Sequence, residues 1–162
     1  DFLLLAFYMY TFYLFVYFVD QAFTAIFGVI VKTLYTILYF TPLVVCLLPT
    51  YMRHKNDYHY QSLGASGAVS AVIFVGILLN PTMGMGIFPL PFHIPAFIFG
   101  PLYLVLSAYL AKKGRGNINH SAHIWGALYG IIFLIITCQF LSPDKFRPLE
   151  NFMNEVKAYF VR

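Results

Sequence analysis

The chain has 162 residues, of which 60% are hydrophobic, 20% are aromatic and only 10% are charged, and its formal net charge is +4. This small number of charges cannot cover the surface of a water-soluble domain, and most of the outer surface must therefore face lipid. The sequence predicts a membrane protein. The basic residues are scattered between apolar runs, which favours anchoring at the lipid bilayer and speaks against a nucleic-acid partner.

Five apolar stretches are long enough, or nearly so, to cross a bilayer as helices, which takes about 20 residues each. We label them A (2–19), B (33–48), C (63–80), D (96–111) and E (121–141). Residues 22–31 are predicted to be a loop or an interfacial piece, and Pro49 is predicted to end B. Open sheets cannot cross lipid and the stretches lack the alternation of barrel strands, so the predicted fold class is all-α, a polytopic transmembrane helix bundle.

The residues after E have a different pattern. From Pro148 onward, apolar residues recur at helical spacing opposite charged and amide side chains, which predicts an amphipathic helix on the membrane surface. We therefore divide the chain into a transmembrane domain, residues 1–142, and a C-terminal amphipathic tail, residues 143–162. The apolar positions of the tail are Leu149, Phe152, Met153, Val156 and Phe160.

The two cysteines, Cys46 and Cys138, each lie near the end of an apolar run. The segment count places them at opposite faces of the membrane, so we expect them to remain unpaired. Free thiols that pack as small hydrophobic groups are the simplest interpretation.

A serine and a histidine are predicted to lie at the same depth in the membrane. Consecutive spans alternate in direction, so C and E run the same way. Ser66 lies in the first turn of C, and His123 lies in the first turn of E. The sequence thus brings its best-placed nucleophile to the level of its best-placed base, as serine catalysis with a Ser-His dyad requires.

Small residues on C and E are expected to let the two backbones approach closely. Gly126 and Gly130 share a face of E with His123, and Gly67 and Ala71 present a small surface on C. Close packing of this kind is typical of small residues four apart in membrane helices. Proton transfer needs a gap of about 2.6–3.2 Å between heavy atoms, and close packing makes such a gap attainable.

Two glycines flank the candidate nucleophile. Gly64 and Gly67 leave the backbone N–H groups around Ser66 unobstructed. At a helix start, with its positive dipole end, such N–H groups can stabilise an oxyanion. We therefore assign Gly64 and Gly67 to oxyanion support.

Each feature has another interpretation when it is taken alone. A serine in a first helical turn is often a cap, and a single histidine in a membrane helix can be a packed polar group. His120 and His123 lack the carboxylate of a metalloprotease motif, and no span holds the two acids of an aspartyl protease. We expect neither a metal nor a cofactor. A small transporter is a weaker alternative, because no span contains an acid that could pair with an ion.

Two motifs resemble those of the rhomboid family of intramembrane serine proteases. "GASGAVSA" is similar to the family's G-x-S-G motif, with Ser66 in the nucleophile position, and "NHSAHIWGALYG" is similar to its last helix, with His123 as the base. The resemblance covers about residues 2–141, and within it the family's first helix and the long loop after it have no counterpart.

The resemblance implies a function and an orientation. It implies a serine endopeptidase that cleaves transmembrane segments of protein substrates near the outer leaflet, in a multi-pass protein of the cell membrane. It further implies that the loops from B to C and from D to E face the non-cytoplasmic side. Helix D resembles the lateral gate through which substrates enter the family's site.

Helix A departs from the family pattern. In the family, a histidine and an asparagine four residues apart donate hydrogen bonds near the oxyanion hole, and the matching positions here are Leu4 and Tyr8. Leucine cannot donate, whereas Tyr8 can support an oxyanion if its hydroxyl reaches the site. Loss of one such donor typically lowers the rate about 10²–10³-fold. The alternative function is therefore a catalytically impaired rhomboid pseudoprotease that binds client helices.

Overall fold

The computed structural model describes residues 2–59, 65–86, 93–113 and 119–161, with the side chains from residue 13 onward except that of residue 14. The described elements, in chain order, are α1 (Phe2–Phe27), α2 (Val31–Val45), α3 (Leu48–His54), α4 (Ser66–Leu79), β1 (Gly84–Gly86), β2 (His93–Pro95), α5 (Ala96–Lys113), α6 (His120–Leu141) and α7 (Pro148–Val161). The predicted all-α helical bundle is confirmed, with one short hairpin added.

The first helix is longer than predicted. α1 continues to Phe27, so residues 22–27 are helical and the prediction of a loop there is wrong. Val19, Phe23 and Phe27 are buried at a spacing of four residues, while Asp20 is exposed and does not interrupt that apolar face. A 3₁₀ turn at Gly28–Ile30 then redirects the chain, with Gly28 at a φ of 60° that suits glycine.

The second predicted span is divided in two. α2 ends at Val45, and α3 begins at Leu48. Pro49 therefore lies in the first turn of a helix, although it was predicted to end one. Proline is tolerated in the first turn of a helix, because the N–H that it lacks would have no helical partner there. Pro42 lies inside α2, one turn before the end of that helix.

The remaining predicted spans agree closely with α4, α5 and α6. Between α4 and α5, β1 and β2 form an antiparallel hairpin in which Gly84 is opposite Pro95 and Gly86 is opposite His93. Each strand of the hairpin has only three residues. The hairpin therefore reverses the chain between two helices and does not form a sheet that could cross lipid.

α4 lies at the centre of the bundle. It contacts α1, α2, α5, α6 and α7, and ten of its 14 residues are buried. Its small residues explain this position, because glycine, alanine and serine let several neighbouring helices pack against one short helix. Ser66 therefore lies at the start of a helix that is surrounded by five other helices.

The predicted tail helix is confirmed from Pro148 to Val161. Phe152 packs against both apolar clusters of the bundle, and Phe97 of α5 contacts the rings of Tyr159 and Phe160. Leu149 and Met153 remain exposed. The boundary between domain and tail at residue 142, and the location of the tail on a membrane surface, stay predictions.

Within the described residues, three helical stretches have the length and composition to cross a membrane: Phe15–His54, Ala96–Lys113 and His120–Leu141. The first of these combines most of α1 with α2 and α3. α4 is equally apolar but has only 14 residues. A helix of that length rises about 21 Å, which is less than the roughly 30 Å of the hydrocarbon layer.

Candidate functional site

Ser66 is the first residue of α4 and is partly exposed. Ala65 occupies the cap position and no side chain caps the helix, so Ser66 is not the capping residue that the simpler interpretation suggests. The first helical hydrogen bond runs from the N–H of Val69 to the carbonyl of Ala65. The N–H groups of residues 66–68 therefore precede the hydrogen-bonded part of the helix, and they can donate to an anion.

His123 lies in the first turn of α6, whose start is fixed by a buried asparagine. The side chain of Asn119 accepts a hydrogen bond of 3.0 Å from the N–H of Ala122. The same amide donates to the hydroxyl of Thr50 in α3 at 3.1 Å. This polar contact between two helices had not been predicted, although asparagine directly before an apolar helix is a recognisable cap signal.

The starts of α4 and α6 are in direct backbone contact. A Cβ added to Gly126 would overlap the carbonyl oxygen of Gly67, and one added to Gly130 would overlap that of Ala71. A Cβ at Gly67 would lie 3.1 Å from the carbonyl oxygen of Ala122. The contacts advance along both helices together, so α4 and α6 run in the same direction, as the segment count predicts.

This contact brings Ser66 and His123 to the same end of the bundle. Ser66 precedes Gly67, and His123 follows Ala122, which faces that glycine. The Nε2 atom of His123 is buried and has no hydrogen-bond partner among the described residues. Among these described residues, no hydrogen bond joins His123 to Ser66. A buried nitrogen without a partner costs free energy, which is typical of a functional group whose partner arrives with the substrate.

The imidazole is packed between aromatic groups. The ring of Tyr103 in α5 stacks on the ring of His123, with 5.8 Å between centroids and an interplanar angle of 20°. The ring of His120 meets His123 edge to face at 5.6 Å. The hydroxyl of Tyr103 lies 2.7 Å from that of Ser70, which donates to the carbonyl oxygen of Ser66 at 2.9 Å.

Neither Ser70 nor Tyr103 was predicted from the sequence to belong to the site. Ser70 is one helical turn after Ser66, so a second hydroxyl on the same face of α4 was a usable signal. Tyr103 gave no such signal, because nothing in a chain rich in tyrosine distinguishes the one that reaches a histidine on another helix. Tyr129 of α6 also makes an interhelical contact, a hydrogen bond with the hydroxyl of Thr41 in α2.

Three predicted site residues cannot be placed by their side chains. Gly64 lies outside the described residues, and Leu4 and Tyr8 lie in α1 at positions whose side chains are not described. Their roles stay predictions. Of the other assigned residues, Ser66, Gly67, Ala71, His123, Gly126 and Gly130 all lie along the contact of α4 with α6.

Comparison with known proteins identifies the family but no individual relative. The family model for the rhomboid domain matches residues 4–140. No curated protein and no solved structure matches the sequence. With its apolar helices, the chain is an integral membrane protein. The match covers most of the chain, including both motifs around Ser66 and His123, so this protein belongs to the rhomboid family.

Proposed function

We propose that the protein is an intramembrane serine endopeptidase with Ser66 as nucleophile and His123 as general base. The observation that carries this proposal is the buried, unpartnered Nε2 of His123 beside the helix that begins with Ser66. A packed structural histidine would instead use its ring nitrogens in hydrogen bonds.

The proposed chemistry follows from the parts of the site. Nε2 of His123 accepts the proton of the Ser66 hydroxyl as the Oγ atom attacks the scissile carbonyl. The N–H groups at the start of α4 donate to the resulting oxyanion. His123 then gives its proton to the leaving amine, and water hydrolyses the acyl-enzyme by the same route. Tyr8 remains a candidate donor to the oxyanion.

The proposed substrates are transmembrane segments of other proteins. α1, α2, α4, α5 and α6 are the apolar helices of the bundle, and we assign them as five spans of a multi-pass protein of the cell membrane. α4 is too short to cross an undistorted hydrocarbon layer, so Ser66 at its start lies below the membrane surface. That depth suits cleavage of a peptide bond within a membrane-embedded helix.

A fluorophosphonate probe tests this function in detergent-solubilised protein. Labelling of the wild-type chain, its loss in Ser66→Ala and in His123→Gln, and its retention in Ser107→Ala are expected. Ser107 is the matched control, since it is a buried serine of the same bundle on α5. Absence of labelling in folded wild-type protein would contradict the proposal.

A pseudoprotease is the second candidate, and two observations favour it. No hydrogen bond joins Ser66 to His123 in the described chain, and Leu4 and Tyr8 replace the donors of the family pattern. The double substitution Leu4→His with Tyr8→Asn distinguishes the two functions. If only that variant reacts with the probe, the natural chain binds client helices without cleaving them. If the unaltered chain already cleaves a membrane substrate, the pseudoprotease function is wrong.

A further inference from the structure

The ring that supports His123 comes from α5 and not from either helix of the dyad. Tyr103 stacks on His123 on one side and on Phe99 of its own helix on the other, at 5.9 Å and 26°. The ring of Phe74 in α4 lies 5.9 Å from Tyr103. The His123 imidazole therefore packs against a stack of two aromatic rings from α5, Tyr103 and Phe99, and Phe74 of α4 lies next to this stack.

The same tyrosine is connected to the residue that carries the nucleophile. Its hydroxyl is hydrogen-bonded to Ser70, whose hydroxyl in turn donates to the backbone carbonyl of Ser66. One side chain thus touches the ring of the proposed base and is two hydrogen bonds from the proposed nucleophile. His123 itself has no hydrogen bond at Nε2 among the described residues, so stacking is what restrains that side of its ring.

α5 packs less extensively against α4 than α6 does. A Cβ added to Gly100 would meet Phe74 and Ile77 only at ordinary van der Waals distances, and Tyr103 supplies the hydrogen bond between the two helices. Toward its C-terminal end, Val105, Leu106 and Tyr109 of α5 are exposed. α5 also packs along α6, the helix that carries His123, so only displacement of α5 from both α4 and α6 would withdraw the Tyr103 ring from His123 while leaving the contact of α4 with α6 intact.

We propose that Tyr103 is a positioning residue that orients the His123 imidazole only while α5 is packed against α4 and α6. This inference rests on the proposed protease function for its consequence, which is that the position of α5 controls whether the dyad is assembled. The stacking itself is a structural relationship that can be tested without catalysis.

The first measurement is therefore spectroscopic. In protein carrying ¹³C-labelled histidine in detergent micelles, the His123 ring signals are identified by their disappearance in His123→Gln. A stacked tyrosine ring displaces these signals upfield. We expect this displacement in the wild type and in Tyr103→Phe, and its loss in Tyr103→Leu. Tyr109→Leu, a change at an exposed tyrosine of the same helix, should leave the signals in place.

The second measurement is the rate of fluorophosphonate labelling of the same variants. Tyr103→Leu should label roughly tenfold more slowly than wild type, because the stacking contact is lost. Tyr103→Phe and Ser70→Ala both remove the hydrogen bond between the two hydroxyls, and Ser70→Ala also removes the one to the carbonyl of Ser66. Tyr103→Phe should slow labelling roughly two- to fivefold, Ser70→Ala should slow it at least as much, and the double variant should match Ser70→Ala alone. Tyr109→Leu should label like the wild type.

The outcomes separate this inference from the proposed function. If wild-type protein is not labelled but the ring signals respond to Tyr103→Leu as expected, the protease proposal fails and the positioning role stands. If Tyr103→Leu leaves the His123 signals unchanged, or loses the displacement yet labels at the wild-type rate, the positioning proposal is wrong. Should Tyr103→Leu fail to fold, additive effects of Tyr103→Phe and Ser70→Ala in the double variant would overturn it, and a double variant that labels at the rate of Ser70→Ala alone would support it.

Discussion

Gly126 of α6 lies so close to Gly67 of α4 that a Cβ at position 126 would be 2.8 Å from the carbonyl carbon of Gly67. The two helices that carry Ser66 and His123 are therefore in backbone contact, and only hydrogen atoms fit between them. The separation of the candidate dyad depends on this contact, because both residues lie at the same end of it.

Gly126→Ala should destabilise the protein and reduce probe labelling together. The added methyl group forces α4 and α6 apart, and overpacking of this kind costs about 1–3 kcal/mol. Unfolding in mixed detergent micelles measures the stability change. Gly100→Ala is the matched control, since a Cβ there meets Ile77 and Phe74 at 3.4 and 3.5 Å and should be tolerated. Equal stability of the two variants would contradict the backbone contact.

Asn119→Ala should lower the free energy of unfolding by about 1–2 kcal/mol, because it removes the cap of α6 and the hydrogen bond to Thr50. Thr50→Ala should cost less, because the cap remains. The double variant should be no less stable than Asn119→Ala alone, since the shared hydrogen bond is lost only once. Asn154→Ala, on an exposed position of α7, should have little effect. Additive losses in the double variant would show that the two side chains act separately.

Phe152→Ala should destabilise the bundle by about 2 kcal/mol, although Phe152 lies in the tail. Its ring packs against both apolar clusters, and truncation of a packed phenylalanine leaves a cavity. Met153→Ala removes an exposed neighbour on the same helix and should change the stability far less. The comparison is made by unfolding both variants in the same micelles. A tail that rests only on lipid would show no difference between them.

Cys46 and Cys138 should react slowly with maleimide in the folded protein and quickly after unfolding in SDS. Both thiols are free and buried, and the thiolate that reacts with maleimide forms poorly away from water. Asn154→Cys adds a thiol at an exposed position and should be modified at once in native micelles. Mass spectrometry counts the modified thiols. Rapid modification of the two natural cysteines would mean that their helices open.

Several elements followed from the sequence because their physical cause is local. The apolar runs of α4, α5 and α6 had no alternative in lipid to forming helices, and their alternation in direction placed Ser66 and His123 at one end of the bundle. The predicted end of the first helix was wrong, because the apolar run stops at residue 19, directly before the charged Asp20. In the structure that side chain points outward, and the buried face of Val19, Phe23 and Phe27 continues past it.

The sequence by itself determined that this is a membrane-embedded helical protein of the rhomboid family with a serine and a histidine at matching helix starts. Bilayer thickness and backbone hydrogen bonding leave so few solutions that composition and segment order suffice. Only the tertiary structure decided three contacts of the site: the ring of Tyr103 from α5 on the imidazole, the hydrogen bond of that tyrosine to Ser70, and the hydrogen bond between Asn119 and Thr50 at the start of α6. These contacts join residues that are far apart in the chain, and among many similar aromatic and hydroxyl side chains the packing of the helices selects the few that meet.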